Sequence, residues 1–94
     1  MNIRFYLDPE TRLPHIFDHG VAEQEVYEVL RRPGEDRPGD ENSRVAIGQT
    51  SAGRYLKIIF VRDPMPDSVF VITAFDSTGK PLKAYRRRQR RRRR

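Results

Sequence analysis

Residues 44–75 read RVAIGQ-TSAG-RYLKIIFVR-DPMPD-SVFVITAF, and this stretch decides the fold. It contains three runs, residues 44–49, 54–62 and 68–75, that are rich in Val, Ile, Phe and Tyr, the side chains that β-strands favour. The two links, TSAG and DPMPD, are short and carry the Gly, Pro, Ser and Asp that are typical of hairpin loops. The stretch therefore predicts three strands joined as an antiparallel meander.

The middle run shows which side of this sheet is buried. Side chains alternate between the two faces of a strand. One face is wholly apolar and is expected to be core, with Leu56, Ile58 and Phe60. The other face is mixed, with Tyr55, Lys57, Ile59 and Val61.

The sequence before this stretch predicts one strand and two short helices. Residues 3–7 mostly alternate between apolar and polar side chains, as in an edge strand. Residues 14–19 begin with Pro and are followed by Gly20, which suits a short helix. The clearest helix precedes Pro33 and has apolar residues at i, i+4, i+7 and i+8, namely Ala22, Val26, Val29 and Leu30.

Together these patterns predict an α+β fold. It has two short N-terminal helices, an antiparallel sheet of three to four strands, and a C-terminal helix that starts near Pro81 and leads into an Arg-rich tail. Residues 1–85 are expected to form one domain with 11 Lys and Arg against 13 Asp and Glu. Residues 86–94 form the tail and contain eight arginines, so the net charge of +6 describes neither part.

Composition excludes several classes of protein. The chain has no Cys, which excludes disulfides and thiolate metal sites and gives no sign of an oxidising compartment. No apolar run approaches the ~20 residues of a membrane span. We therefore expect a cytoplasmic protein without a membrane partner.

The tail predicts a polyanionic partner. Its arginines would neutralise phosphates without reading sequence, and RNA or the ribosome is the expected partner. A targeting signal and an anionic protein are the alternatives. Alone in water the tail should fray, because like charges at i, i+4 repel one another, although the acidic segment at residues 35–41 is placed to hold it. The tail arginines are Arg86, Arg87, Arg88, Arg90, Arg91, Arg92, Arg93 and Arg94.

Metal-free RNA cleavage needs a base, an acid and cations beside the phosphate. The two histidines, His15 and His19, stand four residues apart and would share one helix face. They have no third ligand at a recognisable spacing, so neither a metal nor another cofactor is predicted. The candidates for proton transfer are His19, Lys57, Lys80 and Tyr85, and those for phosphate binding are Arg54, Lys83 and the tail arginines. The alternative is that Arg54 and Lys57 are solvated strand charges and Tyr85 a packing residue.

Several short motifs resemble one toxin family. They are Asp8-Pro9-Glu10, His19-Gly20-Val21, and the hairpin from Ile47-Gly48 to Ile59. In this order they resemble the BrnT-like toxins of bacterial type II toxin–antitoxin systems, which belong to the RelE-like superfamily of small ribonucleases. The chain departs from the family pattern at Leu7, where the family usually has Trp, and at residues 74–80, where an Ala-Arg-Arg style segment is usual.

The resemblance implies a RelE-like fold, endoribonuclease activity on mRNA and an acidic antitoxin as partner. The leading hypothesis is therefore an RNA-binding protein that is also a metal-independent endoribonuclease. The alternative is a non-catalytic module on the same scaffold that binds nucleic acid, the ribosome or an acidic protein.

Overall fold

The structure, a computed structural model, describes residues 1–92, so Arg93 and Arg94 of the predicted phosphate-binding set lie outside the described residues. It has five strands, one 3₁₀ helix and two α-helices within this part of the chain. In chain order they are β1 (Asn2–Phe5), the 3₁₀ helix (His15–His19), α1 (Glu23–Arg31), β2 (Glu35–Pro38), β3 (Arg44–Gln49), β4 (Tyr55–Arg62), β5 (Ser68–Asp76) and α2 (Gly79–Arg92).

The α+β class and the meander are confirmed. Strands β3, β4 and β5 pair antiparallel in sequence order, within a five-stranded sheet of order β1-β5-β4-β3-β2. The prediction of a purely antiparallel sheet of three to four strands was wrong, because β1 lies parallel to β5. The first predicted helix is a single 3₁₀ segment, which Gly20 ends in the left-handed conformation at φ 68°.

The fifth strand forms where the sequence indicates an acidic loop. β2 reads EDRP and has weak strand propensity, but it pairs antiparallel with β3 at the edge of the sheet. Asp36 accepts hydrogen bonds from Arg44 on β3 at 2.6 Å and from Arg62 on β4 at 3.1 Å. These ion pairs with neighbouring strands stabilise β2, whose own sequence has weak strand propensity.

The core lies between α1 and one face of the sheet. The apolar face of β4 is buried as predicted, and the α1 residues Val26, Val29 and Leu30 pack against it. A β-bulge beside Ile59 inserts Ile72 into β5, so Val71 and Ala74 both face the core although they are an odd number of residues apart.

The opposite face of the sheet is only partly covered. Lys57 lies between Ile47 of β3 and Phe75 of β5, and Ile59 lies between Val45 and Thr73. α2 crosses one end of this face, where Tyr85 meets Tyr55. We call the remainder, formed by residues of β1, β5, β4 and β3, the open face. No helix within residues 1–92 is long and apolar enough to cross a membrane.

Candidate nucleic-acid interface and histidine cleft

The C-terminal helix α2 has a face that binds the body of the protein. Tyr85, Arg88, Gln89 and Arg92 stand at i, i+3, i+4 and i+7, which places them on one side of a helix. Gln89 Nε2 and an Arg92 guanidinium nitrogen donate to the Gly34 carbonyl at 3.0 and 2.9 Å. We call these four residues the docking face of α2.

The strongest contact of the docking face is an ion pair with Glu35. The Arg88 guanidinium donates two hydrogen bonds to the Glu35 carboxylate, one of them at 2.8 Å. The Glu35 side chain is only 13% exposed. Hydrogen bonding by Arg88 holds the pKa of the Glu35 carboxyl below its ordinary value. This contact confirms that the acidic segment holds the tail, although through one carboxylate only in the described part of the chain.

The same contacts hold the part of α2 that follows Tyr85 against the body. The sequence predicts an unstable tail, yet the helix continues to Arg92. Its last turn consists of cations, which the negative end of a helix dipole favours. The contacts with Glu35 and Gly34 add tertiary stabilisation that the sequence pattern does not reveal.

Tyr85 is the apolar anchor of the docking face. Its side chain is 5% exposed and stacks edge-on against Tyr55, with ring centroids 6.2 Å apart. A Cβ at Gly34 would lie 1.8 Å from the Tyr85 hydroxyl oxygen, so only glycine fits there. Burial, with the charge of Glu35, raises the pKa of the Tyr85 hydroxyl. This placement favours the packing role for Tyr85 over proton transfer.

The other side of α2 is an exposed row of cations. Lys83, Arg86, Arg87, Arg90 and Arg91 are all exposed, and Arg86 also lies over the Tyr55 ring, 5.7 Å from its centroid. They stand at i, i+3, i+4, i+7 and i+8 and extend over about 12 Å of helix. No Asp or Glu occurs anywhere in residues 79–92. We call these five residues the outward face; Lys80, in the first turn of the helix, is also exposed.

Arg54, predicted to bind phosphate, has its guanidinium occupied within the protein. It donates to Asp76 at 2.5 Å, to Glu25 at 2.9 Å and to the Gly20 carbonyl at 2.8 Å. Hydrogen bonding to Asp76 raises the pKa of Arg54 and lowers that of Asp76. Arg54 therefore ties the end of β5 to the start of α1, and its charge is balanced by two carboxylates.

A cleft on the open face contains both histidines. His15 and His19 contact each other edge to face, with ring centroids 5.3 Å apart. Tyr6 lies 6.2 Å from the His15 ring, and Phe75 lies 5.9 Å from the His19 ring. The cleft is open to solvent, measures about 590 Å³ and is completed by Ile72 and Thr73. The Thr73 hydroxyl is buried and has no partner in the described part of the molecule.

The predicted proton-transfer residues are brought together only in part. His19 contacts Phe75, whose neighbour across the strands is Lys57, so His19 and Lys57 flank one ring of the open face. Tyr85 is not in the cleft, because it lies on the buried side of α2 against Tyr55. The cleft also contains His15 and Tyr6, which are not among the predicted proton-transfer residues. The sequence does single out Tyr6, because it is aromatic at a position where the alternation of residues 3–7 predicts a polar side chain.

Comparison with models of protein families, with curated proteins and with solved structures gave no match. Inference about function therefore rests on the geometry and on the motifs.

Chemically, the cleft resembles neither a nucleophile site nor a phosphate loop. Its two imidazoles each offer one nitrogen that can donate a proton and one that can accept it. Aromatic rings beside them can stack on a base that is not paired. The arrangement is suited to holding a nucleobase next to a proton donor and acceptor.

Proposed function

We propose that this protein binds RNA through the outward face of α2 and is a member of the RelE/BrnT-like group. The observation that carries the proposal is the division of α2 into two faces. On the docking face, Arg88 binds the Glu35 carboxylate and Arg92 binds the Gly34 carbonyl. The outward face keeps five exposed cations on a helix that the body holds in place.

The composition of the outward face favours phosphate over protein as its partner. Cores of protein interfaces are rich in aromatic side chains, Met and Arg, and poor in Lys, Asp and Glu. Residues 86–94 consist of Arg and one Gln only. Guanidinium groups match phosphate oxygens in a planar, two-bond geometry.

A fluorescence-anisotropy titration tests the binding proposal. The full chain and a variant that lacks residues 86–94 are titrated into single-stranded RNA, double-stranded RNA and double-stranded DNA of equal length. We expect the full chain to bind RNA with a steep salt dependence and the truncated chain to lose most of both affinity and slope. Equal RNA affinity for the two chains would refute the proposal. Tighter binding of double-stranded DNA than of either RNA would change the class of ligand.

A second candidate function, RNA cleavage without a metal, is favoured by the histidine cleft. One imidazole would remove the proton of a 2′-hydroxyl and the other would protonate the leaving 5′-oxygen. Lys57 is on the same face and would stabilise the charge on the phosphate. The products would be a 2′,3′-cyclic phosphate and a free 5′-hydroxyl.

Cleavage is tested by incubating the protein with RNA in EDTA and analysing the product ends. We expect cyclic phosphate ends from the wild type and loss of cleavage from His15→Gln and His19→Gln. Both variants should still bind RNA with the wild-type salt slope, because α2 is unchanged. If RNA stays intact, free or on ribosomes, the protein is the non-catalytic module and the binding proposal stands alone.

A further inference from the structure

The loop between β1 and α1 brings two carboxylates to one histidine. Ligand atoms of Asp8, His15 and Asp18 all lie within 4.8 Å of one another. His15 Nδ1 is 3.4 Å from Asp18 Oδ2. Sequence spacing gives no sign of this cluster, because Asp8 precedes His15 by seven residues and reaches it only when the loop turns back.

The loop holds Asp8 in place by its own hydrogen bonds. The Asp8 amide donates to the Leu13 carbonyl at 2.9 Å, and the Asp8 carbonyl accepts from Arg12 at 2.7 Å. One Asp8 carboxylate oxygen accepts from the Glu10 amide at 2.9 Å. The other has no hydrogen-bond partner within residues 1–92 and remains available to a ligand.

His15 is held equally well. Its amide donates to the Tyr6 carbonyl at 2.9 Å. Its ring lies between those of Tyr6 and His19. The imidazole is therefore oriented by the backbone and by packing between two aromatic rings.

The three side chains have the chemistry of a divalent metal site. Two carboxylates and an imidazole suit Zn²⁺ and neighbouring transition metals, whose bonds to such atoms are about 2.0–2.2 Å. Two ligands on a tetrahedral ion of this size are about 3.3–3.5 Å apart, and His15 Nδ1 and Asp18 Oδ2 already have that separation. The ligand atom of Asp8 lies within 4.8 Å of both.

We propose that Asp8, His15 and Asp18 bind a divalent transition-metal ion, with Zn²⁺ as the probe. Three protein ligands leave a fourth position open to water or to an anion. The site does not rest on the RNA-binding proposal, because none of its residues belongs to α2. A metal on His15 Nδ1 would leave only its Nε2–H, so His15 could not then accept a proton in the metal-free cleavage proposed above.

Calorimetric titration of Zn²⁺ into the full chain tests the site. We expect one Zn²⁺ per chain, a rise in thermal midpoint with Zn²⁺, and a loss of about tenfold or more in affinity for Asp8→Asn, His15→Gln and Asp18→Asn. Asp67→Asn is the matched control, since Asp67 is an exposed carboxylate that pairs with the N-terminus instead. Its affinity for Zn²⁺ should equal that of the wild type.

His19→Gln separates this site from a simple histidine pair. The proposal expects His19→Gln to bind Zn²⁺ nearly as well as the wild type. If His19→Gln abolishes binding while Asp8→Asn leaves it unchanged, the ion is held by the two histidines and the proposed ligand set is wrong. Absence of Zn²⁺ binding by the wild type also overturns it. Far-UV circular dichroism without metal shows whether each variant is folded, and Asp18→Asn, whose carboxylate is half exposed, replaces Asp8→Asn if the loop is disturbed.

Discussion

Two pairs of arginines in α2 differ mainly in the helix face on which they lie, and replacing each pair separately tests the RNA interface. Arg87→Gln with Arg91→Gln alters the outward face. Arg88→Gln with Arg92→Gln alters the docking face. Both double variants remove two positive charges at i, i+4 from the same helix, so net charge and composition are matched.

The expected effects differ in kind. Each phosphate contact contributes about 0.7 to the salt slope for a single strand, so the outward pair should lower the slope by about 1.4 and the affinity at 0.1 M salt by about 25-fold. The docking pair removes the ion pair with Glu35, in which the Arg88 side chain is 39% exposed. Discounted for that exposure, the loss of stability is about 1 kcal/mol, or ~4–8 °C in Tm for a domain of this size.

Fluorescence anisotropy with single-stranded RNA, repeated from about 50 to about 300 mM NaCl, measures the slopes. Differential scanning calorimetry of the free proteins measures Tm. We expect the outward pair to change the slope and leave Tm nearly unaltered, and the docking pair to do the reverse. Equal slopes for the two variants would refute the reasoning, because the tail would then act as an unstructured polycation in which position has no meaning.

Three further predictions concern how the body holds α2 and α1. Gly34→Ala should destabilise the protein by about 1–3 kcal/mol, because the new Cβ meets the Tyr85 hydroxyl; adding Tyr85→Leu should recover part of that loss in urea denaturation. The lowered pKa of Glu35 stabilises the fold above its ordinary value of 4.5, and this stability is lost as pH falls through the folded pKa. Thermal unfolding of Glu35→Gln should therefore depend less on pH in the acid range, and an unchanged dependence would contradict the Arg88 contact. Arg54→Lys should lower Tm but keep the RNA salt slope, because its guanidinium bonds Asp76 and Glu25; a reduced slope would restore the predicted phosphate role.

Features that repeat along the chain could be read from the sequence. Alternation in β4 identified the buried face with Leu56, Ile58 and Phe60, and the apolar spacing before Pro33 identified α1. These patterns report which side of an element meets the core. They depend on neighbours within a few residues, so no knowledge of the tertiary structure is required.

Features created by distant contacts could not be read in this way. β2 has the composition of a loop and becomes a strand because β3 offers an unpaired edge and Arg44 and Arg62 reach Asp36. The parallel pairing of β1 with β5 joins residues more than sixty positions apart. Arg54 shows the same limit at a candidate site, since its charge looks free until Asp76 and Glu25 are placed beside it.

The histidine cleft could be predicted from the sequence only in part. The i, i+4 spacing of His15 and His19 predicted two imidazoles on one face, and the structure places their rings in contact. That Tyr6 and Phe75 complete the cleft depends on how the 3₁₀ helix lies against β5. Spacing alone also could not show that Tyr85 lies on the side of α2 that packs against the sheet, where its ring is buried beside Tyr55.

The two-faced helix changes how the charge of the tail acts on its own stability. Like charges at i, i+4 oppose the helix by about 0.2–0.5 kcal/mol for each pair. On the docking face the Glu35 carboxylate offsets this repulsion, whereas on the outward face no carboxylate within the described residues does, and Arg86 lies over the Tyr55 ring. RNA phosphates would supply the missing negative charge there. Because Glu35 and RNA would act on opposite faces, they would not compete for the same arginines, and the proposed RNA binding would further stabilise, by linkage, a helix that the body already holds.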